Sequence, residues 1–220
     1  MCSIVVAVDG PSASGKSTVA RAVAQALNYR YVDSGALYRT VTWYALRQGR
    51  AVDDAESLAE WVNRARFTLS TADAGVVRVC IDDMLPPIAD LRSDAVVEAV
   101  SDVAAVPDVR RAVGDVLRDM TRLGPLVVEG RDIGTVVFPD TPLKFFVDAD
   151  PEERARRRSA ETGGDVSRVK ESLQRRDRKD SSRPSAPLRR AADAIRIDTT
   201  RMTVQQVVDL IVRHVAAIIK

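Results

Sequence analysis

Ile4-Val5-Val6-Ala7-Val8-Asp9-Gly10-Pro11-Ser12-Ala13-Ser14-Gly15-Lys16-Ser17 decides the fold. The β-branched run ended by Asp9-Gly10 is the pattern of a short strand buried on both faces. Val19, Ala20, Val23, Ala24 and Leu27 then recur at helical spacing, which predicts a helix from Ser17 to Leu27. Between the two, residues 10–17 satisfy G-x-x-x-x-G-K-[ST]. Glycines let the backbone curl so that successive N–H groups point at phosphate oxygens. The helix N-terminus near Ser17 adds partial positive charge. Lys16 supplies a mobile cation for β- and γ-phosphates, and the Ser17 hydroxyl can reach Mg²⁺. An ordinary Gly/Ser-rich turn is the bland alternative; the strand before and the helix after weigh against it. The pattern names a nucleoside triphosphate with Mg²⁺, not a reaction.

Outward from this loop, Tyr31-Val32 predicts a second short strand, and Gly35–Leu46 and Ala55–Arg66 predict helices. Phe67–Ser70, a Thr71–Gly75 turn and Val76–Ile81 read as a hairpin closed by Asp82-Asp83 and Pro86-Pro87. A hairpin interrupting helices suggests a small insert at about residues 67–97 on an α/β core. Val109–Leu123 is helical again and stops at Gly124-Pro125. Leu126–Glu129, Leu143–Val147 and Ala194–Ile197 predict further strands. Val204, Val207, Val208, Ile211, Val215 and Ile218 give a closing amphipathic helix, whose lone His214 reads as structural. Strands alternating with helices imply an α/β fold with a parallel sheet flanked by helices.

Composition narrows the classes. Of 220 residues, 45% are hydrophobic and 29% charged, enough to bury a core. Lys plus Arg number 33 against 31 acidic residues, which argues against whole-surface nucleic-acid binding. Cys2 and Cys80 form neither a CxxC pair nor a metal spacing. Apolar runs are too short for a membrane span, and the N-terminus lacks the basic region of a secretory signal. The expectation is a cytoplasmic monomer with no nucleic-acid or membrane partner.

No N-K-x-D or D-x-x-G element of a switch GTPase is present; three arginine-bearing segments are. Ser34-Gly35 opens a helix with Arg39 one turn in, which suits a second anion, or else a plain N-cap and a solvated arginine. Glu129-Gly130-Arg131-Asp132 lies at the carboxyl end of a predicted strand, where open α/β sheets bind ligands, or holds a structural ion pair. The run Arg175–Pro184 fits a helix leading into a flap, or a solvated helix face. One explanation covers all three segments: phosphoryl transfer between two phosphates needs neutralisation, alignment and exclusion of water.

The chain resembles the bacterial cytidylate kinases. The resemblance rests on GPSASGKST (10–18), DSGALYR (33–39), SDVAAVPDVR (101–110), GRDIGTVVFPD (130–140) and RRDRKDSSRPSAPL (175–188). It implies a single P-loop nucleoside monophosphate kinase domain that transfers the ATP γ-phosphate to CMP and dCMP, and to UMP poorly. The implied core is 1–34 and 98–220, with an acceptor-binding region about 35–97 and an arginine-rich lid about 163–184 hinged at Gly163-Gly164. The implied ATP-binding set is Gly10, Pro11, Ser12, Ala13, Ser14, Gly15, Lys16, Ser17 and Thr18. Arg39, Arg131 and Arg183 would hold the acceptor phosphate together with Ser34. Ser101, Arg110 and Asp132 would face the cytosine, whose N4 amino group donates and whose O2 and N3 accept. Arg176 and Asp180 would hold the ribose. Lys16, Arg131, Arg176 and Arg183 are the implied catalytic set. Arg154, Arg156, Arg157, Arg158, Arg178 and Lys179 all stay open as contacts to the transferred phosphate.

Two positions depart from the family pattern. Ala13 stands where Gly is more common, so a positive φ there would bring strain. Lys179 stands where Arg is common and lacks the bidentate fork. Two rivals remain: a nucleotide-dependent RNA-binding or regulatory module using residues 154–158 and 175–183, and a kinase for UMP or AMP. No aromatic residue interleaves those basic runs, so the first lacks a stacking surface.

Overall fold

A computed structural model describes residues 4–71 and 76–219. The opening run forms β1 (Val5–Asp9), buried along its whole length as a strand covered on both faces must be. Beside it lie β5 (Leu126–Gly130), also wholly buried, and β6 (Leu143–Asp148). β2 (Arg30–Asp33) and β7 (Ile195–Asp198) complete a five-stranded sheet in the order β2-β5-β1-β6-β7. β1 pairs in parallel with both neighbours, Val8 opposite Glu129 and Phe145. The register places the carboxyl ends of β1 and β5 side by side, with Asp9 opposite Gly130.

The chain divides into two compact units, Met1–Tyr31 with Pro125–Lys220, and Val32–Gly124. In the first, α1 (Lys16–Leu27) packs on β5 and on α8 (Val204–Ile218), whose start carries a Thr203–Gln206 capping box. His214, exposed on α8, lies edge-on to the Phe145 ring with centroids 6.1 Å apart. α6 (Pro151–Thr162) begins with an Asp150 cap and Pro151, and α7 (Val166–Ser181) begins with an Asp165 cap. Gly163 ends α6 in a left-handed conformation, φ 74°.

The second unit holds α2 (Ser34–Arg47), α3 (Ala55–Val62), a β3 (Phe67–Thr71)–β4 (Val77–Ile81) hairpin, α4 (Asp94–Val103) and α5 (Pro107–Asp119). Tyr44 stacks on Trp61 with ring centroids 5.3 Å apart, and its hydroxyl donates to Asp82. Residues 72–75 of the expected hairpin turn lie outside the described residues, as does Cys2.

Several boundaries differ from expectation, each for a physical reason. α3 stops at Val62 rather than Arg66, because the Arg66 N–H turns away to Asp82 Oδ1. The helix expected over Val109–Leu123 starts at Pro107, and its last turn, Met120–Leu123, tightens into a 3₁₀ helix before Gly124 at φ 110°. Ser34 is the first residue of α2, not its cap; Asp33 caps it by accepting the Ala36 N–H at 2.9 Å. α4 and α6 are additional helices, and Ile133–Val137 forms a π-helical turn. Among the described residues no helix is long and apolar enough to cross a membrane.

Candidate active site

The loop between β1 and α1 reaches its geometry through particular residues. A Cβ on Gly10 would lie 2.0 Å from the Val147 carbonyl oxygen, so only glycine fits beside β6. Ala13 adopts φ 59°, the left-handed conformation that its Cβ opposes, so the condition under which an alanine there brings strain is met. Gly15 follows at φ 87° and opens α1. Lys16 is buried, and its Nζ donates to Pro11 O at 3.2 Å, folding back over the loop.

In the first turn of α1, Ser17 Oγ donates to Glu129 Oε2 at 2.7 Å, and Tyr31 donates its hydroxyl to Oε1 of the same carboxylate. A hydroxyl and a carboxylate at the mouth of a phosphate loop form an all-oxygen donor pair that fits Mg²⁺. Among the described residues no three His, Cys, Asp or Glu side chains cluster as a metal cage.

At the end of β1, Asp9 accepts the N–H groups of Ile133 (2.9 Å) and Gly134 (2.8 Å). These bonds anchor the π-helical turn, and with it Arg131 and Asp132. Burial nevertheless dominates the titration of Asp9 and pushes its pKa up to about 6; the two N–H donors and Arg131 oppose the rise, and Asp132 adds to it. Lys144, buried on β6, donates to Pro139 O and Asp193, tying down the far end of the same segment.

Arg131 and Arg183 converge on one carboxylate. Asp180, 2% exposed, accepts from Arg131 Nε at 2.9 Å and from Arg183 Nη2 at 2.5 Å. Arg131 also donates through Nη2 to Ser12 Oγ at 2.8 Å, joining this cluster to the phosphate loop. Arg176 lies on α7 one turn before Asp180, and Asp132 is buried beside the π turn. Thr18 is exposed on the first turn of α1.

The open arginines of α6 sort by burial: Arg154 is buried and Arg157 half-buried, while Arg156 and Arg158 are exposed. Arg154 donates to Ser12 O at 3.1 Å, and Arg157 reaches Ser14 O at 3.5 Å and Thr199 Oγ1 at 3.0 Å. Arg156 and Arg158 point to the exposed side, paired with Glu153 and Glu161. On α7, Arg178 and Lys179 are exposed. Two residues that carry much of the geometry, Glu129 and Asp177, had no separate role in the sequence reading. Glu129 ends a strand beside β1, a position that would have marked it.

In the second unit, Asp33 joins the cap of α2 to an ion pair with Arg39 at 2.9 Å. Gly35 leaves room for this pair: a Cβ there would lie 3.0 Å from Asp33 Oδ1. The guanidinium of Arg110 is buried, lies 5.3 Å from the Tyr38 ring centroid and donates to Ala104 O at 3.0 Å. Ser101 is half-buried on α4. Arg39 and Arg110 are thus built into the α2 and α5 framework rather than left as solvated charges.

A family profile described as Cytidylate kinase matches residues 6–217. The chain belongs to the cytidylate kinase family. A relative named cytidylate kinase from Streptomyces griseus subsp. griseus is 43% identical, covering 96% of this chain and 91% of its own. Another of that name from Limosilactobacillus fermentum is 40% identical, covering 99% and 97%. A Synechococcus protein named bifunctional pantoate ligase/cytidylate kinase is 44% identical over 94% of this chain, which spans 40% of that longer protein. Among solved structures, an uncharacterized protein from Eubacterium ventriosum has a TM-score of 0.54 at 14% identity, covering 98% of this chain and 99% of that one. TT1252 from Thermus thermophilus has a TM-score of 0.50 at 22% identity, with full coverage of both. Both structures share the fold. The family is that of ATP-dependent nucleoside monophosphate kinases.

Proposed function

We propose that this chain transfers the γ-phosphate of ATP to CMP, giving ADP and CDP, with dCMP also accepted and UMP used poorly. The observation that carries the reading is the convergence of Arg131 and Arg183 on Asp180, beside the phosphate loop, in a member of this family. Guanidinium groups assembled there are suited to a phosphate dianion.

In this reading Gly10–Thr18 cradle the donor phosphates, and Lys16 neutralises charge that builds on the transferred group. Ser17 and Glu129 would hold Mg²⁺, which would offset the negative charge of the ATP phosphates. Arg131 and Arg183, with Arg39 and Ser34 of the second unit, grip the CMP phosphate. Arg176 and Asp180 take the ribose hydroxyls. Asp132, Ser101 and Arg110 read the cytosine: a carboxylate accepts from the N4 amino group, whereas uracil presents a carbonyl and leaves that acceptor unpaired. No catalytic base is needed, because the attacking CMP phosphate oxygen is already ionised at neutral pH. The γ-phosphorus bond to the bridging oxygen breaks as the new bond to that acceptor oxygen forms. Residues 163–184 act as the lid that excludes water, and the protein works as a cytoplasmic monomer.

Separation of products after incubation with ATP, Mg²⁺ and each of CMP, dCMP, UMP and AMP tests this. CDP and dCDP are expected to form rapidly and UDP slowly. AMP phosphorylated faster than CMP, or no diphosphate from any acceptor, overturns the assignment.

A further inference from the structure

Helix α7 is tied to the phosphate loop twice, one turn apart, and both ties end on Ser12. Asp177 Oδ1 accepts the Ser12 N–H at 3.2 Å. One turn on, Asp180 holds Arg131, whose Nη2 donates to Ser12 Oγ at 2.8 Å. Arg154 closes the set: its Nη1 donates to Ser12 O at 3.1 Å and also to Asp177, while its Nε donates to Ala149 O at 3.2 Å. The N, O and Oγ atoms of Ser12 are therefore all bonded to charged side chains that are themselves held by α7 or carried on it. Ser12 and Arg154 are both buried, so these bonds compete little with water.

A helix tied once can pivot about the tie; a second tie one turn away fixes its rotation. α7 also delivers Asp180 and leads directly to Arg183, so its rotation sets where Arg131 and Arg183 stand relative to the loop. We propose that Asp177 is a positioning residue: acting through Ser12 and Arg154, it registers α7 on the phosphate loop so that the γ-phosphate meets its acceptor rather than water. This inference rests on the phosphoryl-transfer reading above and adds to it a residue that touches neither nucleotide.

The partition of ATP between two fates tests it. In both, the bond from the γ-phosphorus to the bridging oxygen breaks and ADP leaves. In transfer a CMP phosphate oxygen takes the phosphoryl group and gives CDP; in hydrolysis a water oxygen takes it and gives inorganic phosphate. In the full-length protein, Asp177→Asn is expected to raise the ratio of inorganic phosphate to CDP about tenfold, the scale of one lost charged hydrogen bond. Asp177→Glu keeps the charge but displaces the carboxylate by one methylene, and is expected to raise the ratio by a smaller factor, roughly threefold. A merely stabilising ion pair would lower the melting temperature and leave the ratio unchanged. An unchanged ratio in Asp177→Asn overturns the inference, and in Asp177→Glu it does so should the first variant not fold. Failure of the unmodified protein to form CDP overturns the transfer reading and this inference together. CDP formation with an unchanged ratio overturns this inference alone.

Discussion

Ser17 Oγ and Glu129 Oε2 lie 2.7 Å apart, joining the first turn of α1 to the end of the neighbouring strand β5. Glu129 is 2% exposed, and its other oxygen takes the Tyr31 hydroxyl, so the carboxylate is aimed at the Ser17 side by two neighbouring elements. That orientation is what a metal carried on substrate phosphates needs from the protein.

Glu129→Gln keeps an acceptor for one of the two hydroxyls and removes the charge. The Mg²⁺ concentration giving half-maximal CDP formation is expected to rise about 10- to 100-fold. The check is a Mg²⁺ titration of the rate at fixed ATP; an unchanged midpoint counts against Glu129 as a metal-orienting group.

The left-handed Ala13 is a local cost within the loop. Ala13→Gly removes a steric penalty of about 1–2 kcal/mol and adds back about 0.5–1 kcal/mol of unfolded-state entropy. A net gain of about 0–1.5 kcal/mol, seen as a melting temperature higher by up to roughly 6 °C, is expected. A lower melting temperature would contradict this.

Gly10 gives the opposite outcome. Its added Cβ meets a backbone carbonyl of β6 at 2.0 Å, and a strand interior cannot yield as a flexible side chain would. Gly10→Ala is expected to cost about 3 kcal/mol or more, read from the shift of the urea midpoint.

Asp9 makes stability depend on pH with a definite sign. Its folded pKa of about 6 lies above the ordinary 3.8, so the folded state binds the extra proton and stability falls as pH rises between those values. The loss from Asp9 alone is about 3 kcal/mol, present in full above pH ~6. Urea unfolding at pH 4 and pH 7 should show this component in the unmodified protein, and Asp9→Asn should lack it. An identical pH dependence in both would contradict the assignment.

The parts of the fold that local sequence carries were legible. β1 and the phosphate loop are written in a β-branched run and two glycines, and α8 in its apolar spacing. Arg131, Arg183 and Asp180 were singled out in the sequence, and they meet in the structure. The π-helical turn at Ile133–Val137 was not legible, because it is held by Asp9, more than a hundred residues earlier. Arg154 and Arg156 read alike in a basic run; only the packing of α6 turns one to Ser12 and the other outward. The start of α6 was missed although Asp150-Pro151, a cap followed by proline at the first helical position, carries the local signal for it.

Lys16→Ala provides the most direct measurement: its rate of CDP formation from ATP and CMP, set beside the circular dichroism of the folded variant. Removing a cation that stabilises the transferred group predicts a fall of about 10³-fold with an unaltered spectrum. Near-normal turnover in that variant would contradict the phosphate-loop account on which the transfer chemistry stands.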